Sequence, residues 1–458
     1  MGLFNRLNLS KGKCSTVRTG SKSCSCNVIT YINHLCFSKL TEPHVCKRIF
    51  IFDRSVEMGE TTKILVCGGG NGAHCLAATA SALPGVEVNV LTLFKDEAQR
   101  WSNVLGNDSI IVNATYNDGH TSEIRGKPKL ITKDAMKAME GVNVIFFVVP
   151  AFAHQQYFDE LGPYIKPNTV LIGMPGQAGF EFQALKNLKQ AAPTCAVISL
   201  ESLPWACRIL EFGKKVQILG FKDVLGASVI PGKGSYRQQP LQIVQSILGE
   251  KPLVKPTQNY IAVNLMAKSI IHPPLMYGQW RNWDGVALKE SPLFYQGVDD
   301  EQADLLSKVS GEVVATASAI HKQRNDLDMS EVIHIYDWYS IYYRDQVSDN
   351  TSLKTCMVTN KAYNGLLHPM KKTDKGLVPD FTYRYTAEDI PYGLVVMKGI
   401  AECVGVKTPT IDTIVTWAQE KLGKEYLVGD ALKGKDVNLS RAPQAFGFKT
   451  LEDLCSML

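Results

Sequence analysis

The clearest chemical signal in the sequence is a glycine-rich turn between two apolar runs. Lys63–Cys67 is rich in branched residues and predicts a buried strand, while Cys75–Ala80 predicts the first turns of a helix. Between them, Gly68, Gly70 and Ala73 fit the G-x-G-x-x-G/A fingerprint. A strand, a glycine-rich turn and a helix in this order indicate a dinucleotide-binding site.

Each position of this turn requires a small residue for a separate physical reason. Gly68 permits a sharp turn, Gly70 lets a diphosphate approach the backbone, and Ala73 lets the helix pack closely on the strand. The first helix amides have no acceptor within the helix, so they face the diphosphate and the helix dipole favours its charge. We therefore expect five residues to bind the cofactor here: Gly68, Gly70, Asn71, Gly72 and Ala73.

The following residues predict a second strand at Val86–Leu91, which closes a βαβ unit of about 30 residues. An acidic residue at the end of this strand usually binds the adenosine ribose. Asp96 could do so, or it could cap a helix that starts at Glu97. Lys95 and Arg100 could instead meet the 2′-phosphate of NADP. Between these alternatives we expect NAD.

Further apolar strands are predicted at Asn143–Val149, Val170–Met174, Ala196–Leu200, Lys215–Leu219 and Leu225–Ile230, with the last two completing the sheet. Ligands gather at the carboxyl ends of parallel strands. Pro150 and Phe152 follow one such strand, so we expect them to pack against the nicotinamide half of the cofactor. His154 follows them and is either catalytic or a surface histidine at a helix start. Two loops, Pro175–Glu181 and Glu201–Arg208, either line the substrate pocket or only turn the chain.

Beyond about residue 256 the pattern becomes helical. Asn259–Ile271 predicts a helix that ends at His272, because residues before proline avoid the helical region. Apolar residues between Leu305 and Ile320 recur at helical spacing. Thr408 and the proline after it predict the start of another helix, which Gly423 ends.

The fold class predicted is an α/β Rossmann-like N-terminal domain, residues 60–255, followed by a mainly α-helical C-terminal domain, residues 256–458. A chain of 458 residues is long enough for two or three domains. The balance of 49 Lys and Arg against 44 Asp and Glu is too even to argue for a nucleic-acid partner. The longest apolar run, Val144–Ala153, is too short to cross a bilayer, so no membrane partner is expected.

Residues 1–57 differ from the rest of the chain. They hold five of the twelve cysteines, at spacings that match no tidy zinc pattern, so we expect no metal site there or elsewhere. The segment is a disordered leader, a weak organelle-targeting peptide, or sequence upstream of a natural start at Met58. We expect it to have no folded role. The scattered cysteines of the remainder are typical of a reducing compartment.

The run Cys67–His74 resembles the glycine-rich turn of invertebrate opine dehydrogenases, the octopine dehydrogenase family. The resemblance extends in the same order to the C-terminus. It includes the segments Val149–His154, Gln177–Phe182, Leu203–Arg208, Ile271–Pro273, Leu293–Gly297, Glu388–Pro391 and Trp417–Lys421.

The resemblance implies a cytoplasmic enzyme, leaning towards a monomer. Such an enzyme uses NADH to reduce the imine of an α-keto acid, usually pyruvate, and an amino acid. Its role would be to reoxidise glycolytic NADH when oxygen is short. By position, His272 resembles the family's catalytic acid and base, Asp389 its partner, and Arg384 the residue that holds substrate carboxylate. Three further positions are implied to line the substrate pocket, namely Gln177, Ser202 and Cys207. Ser202 departs from the threonine of some octopine-type members.

The chemistry of these residue types is consistent with the roles that the resemblance implies. Histidine is matched to proton transfer near neutral pH, a carboxylate partner fixes its tautomer, and arginine binds a carboxylate through two parallel hydrogen bonds. Two alternatives stay open: another two-domain NAD(P)-dependent dehydrogenase, of hydroxyacid, polyol-phosphate or ketopantoate type, or a non-catalytic NAD-responsive module. The amino acid also stays open. Arginine would call for an acidic group, which Glu181 or Glu201 could supply, whereas small amines would need a neutral site.

Overall fold

Strands form where branched apolar residues are concentrated, as the β propensity of these residues favours. The computed structural model describes residues 61–257 and 259–457, and the expectation for residues 1–57 lies outside them. The strands are, in chain order, β1 (Thr62–Cys67), β2 (Val86–Leu91), β3 (Ile110–Thr115), β4 (Thr121–Gly126), β5 (Leu130–Thr132), β6 (Val144–Phe147), β7 (Val170–Gly173), β8 (Ala196–Leu200), β9 (Trp205–Glu211), β10 (Lys215–Phe221), β11 (Val224–Ile230), β12 (Leu253–Pro256), β13 (Met370–Thr373) and β14 (Gly376–Pro379).

The helices alternate with strands in the first half of the chain and dominate the second half. They are, in chain order, α1 (Asn71–Ser81), α2 (Glu97–Leu105), α3 (Ala135–Ala138), α4 (His154–Leu161), α5 (Phe180–Leu188), α6 (Pro240–Leu248), α7 (Tyr260–Leu265), α8 (His272–Trp280), α9 (Asp300–Gln323), α10 (Ile335–Tyr342), α11 (Leu353–Val358), α12 (Arg384–Ala387), α13 (Val395–Cys403), α14 (Pro409–Leu422) and α15 (Leu451–Cys455). A π-helical turn at Ile390–Leu394 leads into α13.

The main sheet has eight strands in the order β12-β11-β8-β7-β6-β1-β2-β5. From β5 to β8 this is the 3-2-1-4-5-6 order of a Rossmann fold, and these six strands are parallel. The strand order reverses beside β1, so the glycine-rich turn after β1 lies at the topological switch point, where such sheets bind ligands. The predicted Rossmann-like region is therefore confirmed.

Two details of the predicted sheet are wrong. Lys215–Leu219 lies in β10, which belongs to a separate four-stranded sheet with the order β4-β3-β10-β9. The predicted loop at Trp205–Arg208 is the start of β9, which pairs antiparallel with β10. This second sheet packs against α1 and buries residues such as Val112 and Val216 beneath it. β10 joins this sheet by pairing in parallel with β3, which lies far away in the sequence, and β9 joins it as the hairpin partner of β10.

The second half is mainly α-helical, as predicted, with one small hairpin of β13 and β14. The predicted helix over Asn259–Ile271 is wrong at its end, because α7 stops at Leu265 and α8 begins at His272. Prolines follow His272 directly, and proline is tolerated in the first turn of a helix, where its missing N–H has no acceptor to lose. Thr408 stands at the N-cap of α14, and Gly423 ends that helix with φ +63°. Both predictions are confirmed.

We call the part from β1 to β12 the nucleotide lobe and the part from α7 to α15 the helical lobe. Both belong to one compact unit. The α4 and α5 face of the main sheet shares a hydrophobic core with the helical lobe, in which Phe147, Phe180 and Ile400 are buried. The opposite face packs on α1 and the second sheet. Among the described residues, none of the helices has both the length and the apolar character that crossing a bilayer needs.

Candidate active site

The glycine-rich turn leaves space beside the start of α1. Gly68 has φ +117°, and a side-chain carbon there would lie 2.6 Å from the carbonyl oxygen of Val148. Gly70 is the N-cap of α1, and the position of a side-chain carbon at Gly70 has no atom within 4 Å. The turn is therefore tight on its inner side and open at Gly70, which fits a diphosphate approaching the first helix amides.

The other predicted residues of the turn fix α1 to its neighbours. Asn71 accepts a hydrogen bond on Oδ1 from the backbone N–H of Ile209 at 2.8 Å, so its side chain holds α1 against β9. A side-chain carbon at Gly72 would lie 2.9 Å from Leu203, and Ala73 is fully buried. These residues could reach a cofactor through their backbone amides, while their side-chain positions serve packing.

His74, the next residue, is buried and neutral. Burial lowers its pKa to about 4. Its ring stacks on Trp101 at 3.5 Å, and Nε2 lies 3.1 Å from the backbone N–H of Gly213. Because Nε2 must accept from that N–H, Nδ1 carries the proton and donates to the carbonyl oxygen of Gly70 at 3.2 Å. His74 thus stabilises the glycine-rich turn through its hydrogen bond to Gly70.

Glu97, and not Asp96, is the acid beside the turn. Its carboxylate accepts a hydrogen bond from the Thr92 hydroxyl and covers Gly69, where a side-chain carbon would overlap it. Asp96 is exposed, pairs with Arg100 at 3.1 Å, and makes no capping hydrogen bond at the start of α2. Asp96 therefore stands at the N-cap of α2, as one of the two alternatives predicted, but its side chain does not bond the helix amides.

The loop after β6 carries the predicted nicotinamide contacts, which lie in different surroundings. Pro150 is exposed, whereas Phe152, 64% exposed, lines a cavity of about 390 Å³ together with Tyr392 and Tyr426.

His154 is fully buried, and burial holds its pKa well below the ordinary value. Its Nδ1 accepts a hydrogen bond from Arg441, so Nε2 donates to the carbonyl oxygen of Val149 at 3.1 Å. The prediction of a surface histidine is therefore wrong, and the partners at both nitrogens of the buried ring argue against a catalytic role.

Arg441 is a buried residue that sequence reasoning missed. Its guanidinium donates to the carbonyl oxygen of Gly176 at 2.8 Å, to Gln183 Oε1 at 2.7 Å and to the carbonyl oxygen of Ala151 at 3.2 Å. Burial lowers its pKa to about 10, so the side chain stays charged. Arg441 therefore connects the helical lobe to the loops after both β6 and β7. It has no motif around it that could have revealed this role.

Glu388 makes the second connection between the lobes. Its Oε1 accepts hydrogen bonds from the backbone N–H of Ala151 at 2.9 Å and from the side-chain amide of Gln177 at 2.8 Å. Gln177 has φ +60°, and its hydrogen bond to Glu388 directs its side chain to the helical lobe. Arg384 lies beside the other oxygen of Glu388, with Nε at 3.6 Å, and its side chain is 55% exposed. Gln177 and Arg384 are therefore brought together around one carboxylate.

His272 and Asp389, which lie far apart in the sequence, are hydrogen-bonded to each other. His272 is the first residue of α8, and its Nδ1 lies 2.6 Å from Asp389 Oδ2. Because a carboxylate only accepts hydrogen bonds, Nδ1 carries the proton. Tyr385 stacks on the imidazole at 3.8 Å, and the Tyr295 hydroxyl lies 2.8 Å from Nε2. The side chains of His272 and Asp389 are 16% and 5% exposed. This is the arrangement of an oriented acid–base histidine.

The remaining predicted pocket residues are more dispersed. Ser202 is partly exposed after β8, and its hydroxyl donates to the carbonyl oxygen of Leu203 at 3.3 Å. Cys207 is buried in the core beside Cys75. Nothing in this packing places the Cys207 thiol in a pocket.

Of the two acids considered for binding a cationic amine, only Glu201 is exposed. Glu181 is fully buried and accepts hydrogen bonds from the Ser228 hydroxyl at 2.5 Å and from Asn264 at 3.1 Å. Burial raises its pKa. The suggestion that Glu181 could meet a substrate is therefore wrong. Among the described residues there is no cluster of three or more His, Cys, Asp or Glu side chains that could hold a metal ion.

A nucleotide-binding turn at the switch point and a carboxylate-oriented histidine define a two-lobed, nicotinamide-dependent oxidoreductase. Residues 256–422 match the family model described as the α-helical domain of NAD/NADP octopine/nopaline dehydrogenase. The chain is 49% identical to an opine dehydrogenase of Haliotis discus hannai, over 88% of this chain and 100% of that protein. It is 46% identical to a tauropine dehydrogenase of Arabella iricolor, over 85% and 99%.

A solved structure of octopine dehydrogenase with NADH and L-arginine is also similar. It shares 46% identity with a TM-score of 0.82, covering 86% of this chain and 98% of that one. The chain therefore belongs to the octopine dehydrogenase family. It is an NAD-dependent oxidoreductase that acts on the CH–NH group of donors, and as an opine dehydrogenase it condenses an α-keto acid with an amino acid.

Proposed function

We propose that the chain couples pyruvate to an amino acid, with His272 as the acid and base and Asp389 as its partner. The observation that carries this assignment is the hydrogen bond of 2.6 Å between His272 Nδ1 and Asp389 Oδ2. It fixes the tautomer and leaves Nε2 as the atom that exchanges a proton. A solved octopine dehydrogenase complex with NADH and pyruvate supports pyruvate as the keto acid.

The proton that His272 handles follows from the balance of the reaction. A keto acid, an ammonium group, a hydride and one proton give a secondary ammonium group and water. The proton is needed where the carbonyl oxygen departs as water, and a histidine suits this transfer near neutral pH. When bound, NADH supplies the hydride.

Arg384 is the residue that we propose for the substrate carboxylate. Its side chain is 55% exposed, and its Nε lies 3.6 Å from Glu388, which neutralises part of the charge but leaves donors free. Arginine binds carboxylates through two parallel hydrogen bonds, which orients the substrate. Gln177 and Ser202 complete the pocket in this proposal. Cys207 is left out, because its burial beside Cys75 argues against substrate contact.

For the cofactor, the open space at Gly70 supports binding of the diphosphate by the turn and by the first amides of α1. We propose Glu97 for the ribose hydroxyls, since its carboxylate lies over Gly69 whereas Asp96 is paired with Arg100. A carboxylate there would also disfavour the 2′-phosphate of NADP. Pro150 and Phe152 are the proposed contacts for the nicotinamide half.

The cellular role that we propose is regeneration of NAD during anaerobic glycolysis, in the cytoplasm and as a monomer. The division into domains at residues 60–255 and 256–458 belongs to the same proposal.

For the amino acid, the exposure of Glu201 at the end of β8, with Glu181 sealed in the core, supports a cationic side chain such as that of arginine.

The experiment follows NADH absorbance with pyruvate and each of arginine, taurine, alanine, glycine and β-alanine. Oxidation that requires both pyruvate and an amine is expected, with the highest kcat/KM for arginine. Oxidation with pyruvate alone, or none with any amine, would contradict the proposed reaction. A preference for a neutral amine would contradict only the role of Glu201.

A further inference from the structure

Both ring nitrogens of His272 have partners within the protein. Nδ1 is held by Asp389 at 2.6 Å, and Nε2 lies 2.8 Å from the hydroxyl of Tyr295. Since the carboxylate occupies Nδ1, acid–base chemistry has to proceed through Nε2. The group that stands on Nε2 is the Tyr295 hydroxyl, so a substrate must either displace this hydroxyl or act through it.

Displacing Tyr295 would disturb an aromatic stack. Its ring lies against Tyr363 at 3.9 Å with the planes 15° apart, and meets Phe294 edge-on at 4.8 Å. The Tyr363 hydroxyl donates to that of Tyr339 at 3.0 Å, which fixes the stack from behind. Tyr295 itself is only 6% exposed. These contacts hold the hydroxyl on Nε2 and favour action through it.

We propose that Tyr295 is a further catalytic residue, whose hydroxyl relays a proton from His272 Nε2 to the substrate oxygen that leaves as water. The inference rests on the proposed function. The amine first adds to the keto carbon. As the C–O bond then breaks, the nitrogen lone pair forms the C=N bond and the departing oxygen takes the Tyr295 proton. In the same step the Tyr295 oxygen takes the proton from Nε2, and solvent later restores that proton to the neutral imidazole.

A tyrosine hydroxyl suits this role because it donates one hydrogen bond while it accepts others. Toward neutral His272, Tyr295 donates to Nε2; toward protonated His272, it accepts from Nε2 and its own proton is free to point elsewhere. Burial raises the pKa of Tyr295 far above its ordinary value, and the neighbouring hydroxyl of Tyr385 raises this pKa further. A free tyrosinate is thus disfavoured, so the loss and the gain of the proton are expected to occur together.

The first test compares Tyr295→Phe with Tyr336→Phe in the full-length enzyme, by NADH oxidation at saturating pyruvate and amino acid. The control also removes one tyrosine hydroxyl, but that hydroxyl donates to the carbonyl oxygen of Asn350 at 2.7 Å and not to a member of the stack around Tyr295. Tyr295→Phe is expected to lower kcat about 10²-fold, the size of an acid–base contribution, with NADH affinity unchanged. Tyr336→Phe is expected to keep a kcat close to that of the unmodified enzyme. Equal losses in both variants would overturn the relay.

The second test combines Tyr295→Phe with His272→Ala. Members of one proton path are not additive, so the double variant should lose no more turnover than His272→Ala alone. Losses that multiply would overturn the relay and make Tyr295 an independent structural residue. Should His272→Ala itself keep normal turnover, the proposed function fails. Should only Tyr295→Phe keep normal turnover, the relay alone fails.

The unmodified enzyme provides a third test that does not depend on a variant folding. Turnover is measured in mixtures of water and deuterium oxide under conditions where dehydration limits the rate. Two protons moving in one step predict a bowed dependence of kcat on the deuterium fraction. A straight line would indicate a single proton and would overturn the relay.

Discussion

Glu388 accepts a hydrogen bond from the backbone N–H of Ala151 at 2.9 Å, so the residue next to Asp389 is tied to the loop after β6. The same oxygen accepts from Gln177 at 2.8 Å. The proposed catalytic pair, His272 and Asp389, is thereby held in register with the strand ends of the nucleotide lobe, where the cofactor is expected.

We predict that Glu388→Ala lowers kcat by about 10²-fold, because a misplacement of about 1 Å between reacting groups can have that effect. NADH affinity should change little, since the glycine-rich turn lies outside this contact. The matched variant is Glu388→Gln, whose amide oxygen can still accept both hydrogen bonds and should preserve most of the activity. Steady-state kinetics and NADH titration measure both. Equal activity of the alanine and unmodified enzymes would contradict the prediction.

Arg441 should contribute strongly to stability. Arg441→Met leaves the carbonyl oxygens of Gly176 and Ala151 buried without their donor. Buried unsatisfied groups cost about 1–3 kcal/mol each, so a loss of about 3 kcal/mol in the free energy of unfolding is expected. Urea unfolding measures it. The control is Arg324→Met, at a half-exposed arginine paired with Asp326, which should leave the unfolding midpoint almost unchanged. Similar midpoints for the two variants would contradict a structural role for Arg441.

Glu97 should determine the preference for NADH. Glu97→Gln removes the charge beside Gly69, and a hydrogen bond to a charged group contributes about 1.5–3 kcal/mol, so the KM for NADH should rise by about 10- to 100-fold. NADPH should become a better substrate relative to NADH. Asp96→Asn is the neighbouring control and should leave both constants unchanged, because Asp96 is paired with Arg100. If Asp96→Asn had the larger effect, the ribose assignment would move to Asp96.

His74 makes stability depend on pH in a predictable direction. An unfolded chain takes up a proton on this residue near its ordinary pKa of 6.5, whereas in the folded state burial lowers the pKa to about 4. Between these values the unfolded state binds more protons, so stability falls as the pH is lowered through this window. The contribution from pH 7 to pH 5 is at most about 2 kcal/mol. His74→Gln should therefore lose less stability on acidification in urea unfolding at the two pH values. An equal loss would exclude His74 as the cause.

The local parts of this structure could be predicted from the sequence, and the long-range parts could not. The glycine-rich turn is recognisable because all its requirements fall within a few consecutive residues. The second sheet was missed because β10 pairs in parallel with β3, about a hundred residues earlier, and no local pattern records that pairing. The burial of His154 could not be predicted for the same reason, since its partner Arg441 lies far away in the sequence.

In the candidate site, too, the local features could be predicted from the sequence and the long-range contacts could not. His272, Asp389 and Arg384 were selected through the family resemblance, and the structure brings the first two within hydrogen-bonding distance. Tyr295 stands inside a motif that carried the resemblance, but a large aromatic residue is more often part of a core than of a proton path. Glu388 lies in a motif that carries the resemblance, but nothing in the sequence around it indicates its partner. Its contact with Ala151 is visible only in the folded chain.

The most direct measurement of the central claim is the turnover of His272→Ala with pyruvate and its preferred amino acid, alongside a fluorescence titration of NADH. The imidazole held by Asp389 at 2.6 Å is expected to supply the proton, so kcat should fall by about 10²- to 10⁴-fold while the dissociation constant for NADH stays unchanged. Near-normal turnover in this variant would contradict the assignment of His272 as the acid and base.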